Sequence, residues 1–358
     1  MSESPSIVAT AEEAEGLELA PLLVLEPLEA LLDEHGIGSG PIEATSVGEG
    51  HSNITYLVRR GDAEVVLRRP PRGPLPPSAH DVIREARLLQ AIGDTAVRVP
   101  QVLIRHEDPA TIGAPFYVME KKEGVVMTSS IPDALDTPAQ RRQIADELID
   151  ALVEIHACDW RACGLEWFGK PDGYLERQVR RFTGLWEHNK TRELPVLDRV
   201  TAWLGANVPV QQAATIVHGD YRLGNTMFSG AAPASLNAIF DWELATIGDP
   251  LADLGYLTAT YPQPGDDTNN MFTLQSVTTR EGFPSRDELI ARYEAASGRS
   301  MRDVRWYTTL ALWKSAVFLE GSYQRLLAGT TDDPFFKLLD TGVPDLAERA
   351  WAISQDAA

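Results

Sequence analysis

The sequence predicts an α+β protein in two lobes. A strand-rich lobe over residues 21–120 carries a five-stranded antiparallel sheet with its helices, and a mainly helical lobe spans residues 125–358. Three observations predict this. From Ile42 to Arg69 apolar and polar residues alternate, the period of a half-buried strand, around a turn at Arg60-Gly61-Asp62-Ala63. Two further apolar runs, Val99 to Ile104 and Phe116 to Glu120, complete the sheet. Beyond Gly124 the period changes to that of helices, as in Ile144, Leu148, Ile149, Leu152 and Ile155. A chain of 358 residues is long enough for more than one packed unit, and Lys121-Lys122-Glu123-Gly124, residues 121–124, is the expected linker.

Taken in order, residues 1–20 are small, polar and acidic and read as a flexible arm. From Pro21 the leucines at 22, 23, 25, 28, 31 and 32 have helical spacing, and Gly36 is a plausible stop. The strands Ile54 to Arg59 and Glu64 to Arg69 form a hairpin, preceded by the loop Gly48-Glu49-Gly50-His51-Ser52-Asn53. A glycine loop between strands lets backbone amides approach phosphates closely. In the second strand Val66 and Arg68 lie two apart and share a face. A helix follows from Asp81 to Ile92, with Glu85 in its first turn. In the second lobe, helices are expected over Pro138 to His156, Tyr174 to Asn189 and Leu194 to Asn207. Ser285-Arg286-Asp287-Glu288 is a capping box opening another helix, and a long one spans about Val304 to Leu327.

Composition narrows the function. Apolar content of 44% and charge of 23% are those of a globular protein. With 32 basic against 52 acidic residues the net charge is −20, which repels nucleic acid. Screening over about 8 Å leaves the binding of an anionic nucleotide to nearby residues and metal. The two cysteines, Cys158 and Cys163, fit a reducing compartment. No apolar run reaches membrane-spanning length and no signal pattern opens the chain, so the expectation is a cytoplasmic protein with no membrane partner. Oligomeric state is not readable.

The chemistry concentrates between Val217 and Asp253. An apolar run, Thr215-Ile216-Val217, delivers His218-Gly219-Asp220. Asn225 follows five residues after Asp220, and Asp241 follows the strand-like Leu236 to Phe240. Magnesium prefers hard oxygen ligands and takes few from protein when phosphate supplies the others, so Asn225 and Asp241 suit a Mg-nucleotide and leave Asp220 for a proton. The competing readings are ordinary turn residues, a zinc site from His218, Asp220 and Asp241, and a structural metal at His156, Cys158 and Cys163. A hydrolytic serine is disfavoured because no Gly-x-Ser-x-Gly elbow occurs.

The order Asp, Asn, later Asp is that of kinase-type phosphoryl transfer. His218-Gly219-Asp220-Tyr221-Arg222-Leu223-Gly224-Asn225, followed by Asp241-Trp242-Glu243 and Gly248-Asp249-Pro250, resembles the aminoglycoside phosphotransferase and choline kinase family. Leu67-Arg68-Arg69-Pro70-Pro71 and the stretch from Leu310 to Arg325 are similar to its acyl-CoA-dehydrogenase-linked group. The resemblance implies a protein-kinase-like fold and transfer of the γ-phosphoryl group of ATP or GTP, with Mg2+, to a hydroxyl of a small acceptor. It implies Asp220 as catalytic residue and Asn225 and Asp241 as metal ligands. Gly48, Gly50, Ser52, Asn53, Val66, Arg68 and Glu85 would serve the nucleotide. Met119, Glu120 and Lys121 would meet its base at the hinge.

Three further implications follow. Arg68 stands where kinases carry lysine, with Arg69 as the competing assignment and Glu85 as partner. Asp253 braces the catalytic loop from behind, Asp249 caps or turns, and His156 is structural. The acceptor implied is a hydroxylated acyl-CoA or hydroxy acid, with an aminoglycoside as alternative and a non-catalytic nucleotide-binding protein as the contrasting class.

Overall fold

The hairpin turn at Gly61 and Asp62 sets the register of the first sheet. In the structure, a computed structural model describing residues 6–47, 53–73, 80–266, 275–331 and 334–356, Gly61 takes a φ of +57°, and β4 (Ile54–Arg60) folds back on β5 (Ala63–Arg69) with Arg60 opposite Ala63. Strand β3 (Glu43–Val47) pairs on the outer side of β4. On the other side of β5 come β7 (Phe116–Glu120) and then β6 (Val102–His106). All four pairings are antiparallel, as expected. Strand β6 begins at Val102 and not at Val99, because Pro100 has no N–H to give to a ladder.

One face of this sheet is covered by α2 (Leu25–Glu34). Leu28, Leu31 and Leu32 of the helix join Tyr56, Val58, Leu67, Phe116 and Val118 in one core. Gly36, with φ +66°, ends the chain's helical course where the sequence placed the stop. The start differs. Leu23 and Val24, read as helical, form β2 (Leu23–Val24), which pairs in parallel with β1 (Ile7–Val8), so part of the segment expected as an arm is ordered. The reason is local: four apolar residues, Ile7, Val8, Leu23 and Val24, gain more by pairing than a polar arm would offer. A one-turn helix, α1 (Ala11–Ala14), lies between these strands. Helix α3 (Val82–Ile92) starts after Asp81, whose carboxylate accepts from the Arg84 amide at 2.9 Å.

The described chain divides into two compact units, Met1–Thr95 with Val99–Glu123, and Ala96–Arg98 with Gly124–Ala358. The second is mainly helical. It contains α4 (Pro138–Ala157), α5 (Tyr174–Asn189), α6 (Pro195–Ala206), two small antiparallel ladders, α7 (Leu251–Thr260), α8 (Arg286–Ser297), α9 (Val304–Leu327), a short α10 (Pro334–Lys337) and α11 (Leu339–Gln355). The ladders join β8 (Thr215–Val217) to β11 (Thr246–Gly248), and β9 (Thr226–Phe228) to β10 (Leu236–Ile239). The capping box at Ser285 and Glu288 is formed, and α9 keeps the bounds read from the sequence. No helix among the described residues is long and apolar enough to cross a membrane.

Candidate active site

The two ladders of the second unit bring the polar residues of the central motif together. Strand β8 runs straight into His218-Gly219-Asp220. Asn225 directly precedes β9, and Asp241 comes two residues after β10. Because β9 and β10 pair antiparallel with Thr226 opposite Ile239, the start of one strand lies beside the end of the other. The Phe240 amide then donates to the Asn225 carbonyl at 2.9 Å, which places Asn225 next to the residue before Asp241.

Within this loop the Asn225 side-chain nitrogen donates twice to Asp220, to its carbonyl at 2.8 Å and to Oδ2 at 2.7 Å. With both amide protons committed, the atom Asn225 has left to offer is its oxygen, the hard donor magnesium takes. Asp241 sits at φ +67°, ψ 57°, a left-handed conformation that an L-residue adopts at a cost and that recurs at functional sites. An amide oxygen and a carboxylate on adjacent segments are thus a fitting donor pair for Mg2+ shared with phosphate. They are too few to hold it alone, and among the described residues no three His, Cys, Asp or Glu side chains form a metal cluster.

Asp220 is the more unusual group. Its Oδ1 is buried and accepts no hydrogen bond, with the Arg222 Nε 3.5 Å away. A carboxylate oxygen left unfilled beside a cation keeps acceptor capacity to spare. Tyr256, on α7, was not singled out by the sequence reading. Burial, the charge of Asp220 and a hydrogen bond to that carboxylate push its phenol well above the ordinary value, so the hydroxyl stays protonated. Its position one helical turn beyond Asp253 is the only signal the sequence carried.

The loop is held from behind by Asp253, which is fully buried. Its two oxygens accept from the His218 amide at 2.7 Å and the Gly219 amide at 2.8 Å. Gly219 has φ +88°, and a Cβ there would lie 2.8 Å from the Leu244 carbonyl, so glycine is required. His156 adds a third donor, Nε2 to Asp253 at 3.2 Å, while its Nδ1 accepts from the Tyr293 hydroxyl at 2.7 Å. Burial lowers the His156 pKa in spite of that carboxylate, so the ring is neutral. Burial works to raise Asp253, but the imidazole and amide donors outweigh it and hold the carboxyl below its ordinary range.

These contacts remove two of the competing metal sites. Both His156 nitrogens are engaged. So are those of His218, whose Nε2 donates to the Phe240 carbonyl at 2.9 Å and whose Nδ1 accepts from the Asp220 amide at 3.2 Å. Neither ring keeps a lone pair for zinc. Asp249 takes the Leu251 amide at 3.0 Å and the Gln212 amide at 3.2 Å, turning the chain into α7.

In the first unit β5 alternates as predicted. Val65, Leu67 and Arg69 are buried, while Val66 and Arg68 lie on the other face. Arg68 Nε meets Glu85 Oε2 at 3.0 Å, and Glu85 is 2% exposed. Arg69 points into the core, where its guanidinium donates to the carbonyls of Leu22, Ile112 and Pro70, and burial lowers its pKa to about 10. The helix glutamate therefore pairs with Arg68 and not with Arg69. Met119 is buried opposite Val66. Glu120 accepts from the Gln101 amide at 2.8 Å and pairs with Lys122 at 2.6 Å; Lys121 pairs with Glu64 at 2.5 Å and Glu123 at 2.6 Å. Asn53 is buried just before β4. Gly48, Gly50 and Ser52 lie outside the described residues.

A five-stranded antiparallel sheet ahead of a mainly helical unit, with this loop of Asp, Asn and Asp, defines a kinase-like phosphotransferase. The comparisons agree. The model of the phosphotransferase enzyme family (APH) matches residues 43–307, and the chain belongs to that family. It is 35% identical over 326 residues to acyl-CoA dehydrogenase family member 10 of Mus musculus, covering 90% of this chain and 30% of that protein. It is 32% identical to family member 11 of Rattus norvegicus, covering 92% and 43%. The chain thus spans less than half the length of these relatives. Among solved structures, a Ralstonia eutropha JMP134 protein named for aminoglycoside phosphotransfer matches with a TM-score of 0.79 at 30% identity, over 93% of this chain and 98% of that one. Choline kinase from Cryptosporidium parvum shares the fold, at a TM-score of 0.58 and 11% identity over 86% and 88%. The family is one of phosphotransferases that use a hydroxyl acceptor, and its co-substrate is a nucleotide.

Proposed function

We propose that this chain transfers the γ-phosphoryl group of ATP or GTP to the hydroxyl of a small molecule, and that a hydroxyacyl-CoA or related hydroxy acid is the acceptor. The observation that carries the reading is the unfilled Oδ1 of Asp220, beside an Asn225 whose amide is turned to leave its oxygen available. Asp220 Oδ1 orients the acceptor hydroxyl and takes its proton as the oxygen attacks the γ-phosphorus. The new O–P bond forms, the bond to the bridging oxygen breaks, and the nucleoside diphosphate leaves. Asn225 and Asp241 would hold Mg2+, which would neutralise charge on the phosphates of the nucleotide. Arg68, oriented by Glu85, adds a bidentate cation for phosphate. Val66 and Met119 contribute apolar contacts to the base, and the backbone at Glu120 and Lys121 its hydrogen bonds. Positioning and charge stabilisation account for most of such catalysis.

The acyl-CoA reading takes its support from the names of the relatives, acyl-CoA dehydrogenase family members 10 and 11. A second reading, an aminoglycoside acceptor, has support in the Ralstonia structure's name and in the net charge of −20. A nucleotide labelled at the γ-phosphate, incubated with hydroxyacyl-CoAs and with aminoglycosides, tests both: label should appear as a phosphate ester on the hydroxyacyl-CoA. Label on the aminoglycoside alone selects the second reading. Nucleotide binding with no transfer to any hydroxyl would favour a non-catalytic binding protein.

A further inference from the structure

A cavity of about 370 Å³ opens within the second unit at the start of α5, and none of the residues assigned above lines it. Lys170, Arg177, Arg180 and Arg181 line it, with Tyr174 and Thr246. Four cations around one hollow stand out in a chain with 52 acidic and 32 basic residues, where chance alone would supply acidic neighbours. Lys170, Arg180 and Arg181 nevertheless form no ion pair with a carboxylate among the described residues, and all three are exposed. Arg177 is fixed differently: its guanidinium donates to the carbonyls of Lys170 and Asp172, clamping that loop onto α5.

The Tyr174 ring lies against Gly248, where a Cβ would come within 2.7 Å of it, and Gly169 leaves room for Thr246 and Ile247 in the same way. Gly173, the N-cap of α5, makes no side-chain cap hydrogen bond, and Glu176 stands in the helix's first turn. Behind it Lys314 lies over the Phe182 ring at 4.8 Å. Burial, more than the neighbouring Arg181, brings the Lys314 amine down to about 8, and Asp253 works against that shift.

The cavity is close to the catalytic loop. Thr246 in its wall is the ladder partner of Val217, and Val217 is three residues before Asp220. Chain geometry puts the Thr246 and Asp220 Cα atoms within about 16 Å, the reach of an extended acceptor.

We propose that this cavity seats a phosphate-bearing group of the acceptor, so that the molecule phosphorylated here is itself an anion. Guanidinium forks match phosphate oxygens in pairs, and four cations suit more than one phosphate. The word acceptor rests on the kinase reading; the binding of phosphate does not. The wall would repel a polycationic acceptor, which turns the inference against the aminoglycoside alternative in spite of the chain's acidic total.

The test measures binding with the nucleotide site saturated by Mg-AMP-PNP, so that turnover plays no part. Calorimetry with adenosine 3′,5′-bisphosphate and, separately, inorganic pyrophosphate should show a second, salt-sensitive site. Arg180→Glu with Arg181→Glu should weaken it about tenfold or more, and Arg180→Lys with Arg181→Lys should retain most of the affinity. Mg-AMP-PNP affinity, unchanged in every variant, reports an intact fold. Preference for the bisphosphate assigns a nucleoside-linked phosphate, and equal binding of pyrophosphate assigns a plain one. Binding of both probes unaffected by the charge reversal, or no binding beyond the nucleotide site in the wild-type protein, overturns the proposal. Failure of the kinase reading shows separately, as absence of phosphoryl transfer.

Discussion

At the scale of single residues, the roles proposed for Asp220 and Asp241 separate chemistry from binding. Asp220→Asn removes the proton acceptor and keeps the shape, so nucleotide affinity should persist while turnover falls by about 10²–10⁴-fold, the usual worth of a positioned general base. Asp241→Ala should instead weaken Mg-nucleotide binding itself; calorimetry finding intact Mg-ATP affinity would remove Asp241 from the metal site. The brace behind the loop is a stability device. Asp253→Asn puts an N–H2 group in place of one oxygen, facing either the Gly219 amide or the His218 amide with the His156 ring. At about 1–3 kcal/mol for each buried group left unsatisfied, thermal unfolding should show a marked fall in Tm. His156 also sets a pH dependence. Its folded-state pKa lies below the ordinary 6.5, so the unfolded chain binds more protons and stability falls as pH drops from about 6.5 toward the folded pKa. Asp253, lowered from 3.8, acts in the same direction only in stronger acid. Denaturant midpoints measured down to pH 5 should decline in wild type, and a flat profile would refute the neutral, buried ring. The residues that the ladders bring together were legible as residue types: an amide and two acids at fixed spacing. Tyr256 and the unfilled Oδ1 of Asp220 were not, because both depend on which atoms face each other after folding.

Elements were legible where one strip of sequence decides its own structure. The β4–β5 hairpin follows from alternation around Gly61, and α8 from its capping box at Ser285. The pair between Arg68 and Glu85 joins a strand to a helix, and spacing alone left Arg69 as a rival. Burial decided between them, since Arg69 fills a slot of backbone carbonyls on the core face. Arg68→Ala should leave Glu85 buried without this guanidinium, at a cost of about 3–5 kcal/mol, read as a lower Tm; Arg68→Lys should recover part of it. Elements made by distant partners were harder to read. The parallel pairing of β1 with β2 joins residues 7–8 to 23–24, which nothing local to either pair announces. Helix α11 holds Pro344 inside it, a residue that locally argues against a helix, and it is retained because Leu339, Val343, Leu346 and Ala347 are buried along one face.

For the whole molecule, charge is the property most easily misread. A net −20 points to a cationic acceptor, whereas Lys170, Arg177, Arg180 and Arg181 line the cavity at α5, the basis for proposing an anionic one. The sequence held those residues in plain view at 170–181, but their convergence with Thr246 required the β8–β11 ladder. The central claim remains phosphoryl transfer from a nucleotide to a hydroxyl at Asp220. Its most direct test is ADP release from Mg-ATP in the presence of hydroxyacyl-CoA, comparing wild type with Asp220→Asn after both are shown to bind Mg-ATP. Acceptor-dependent release that disappears in the variant is the predicted result, and equal release by the two proteins would contradict it.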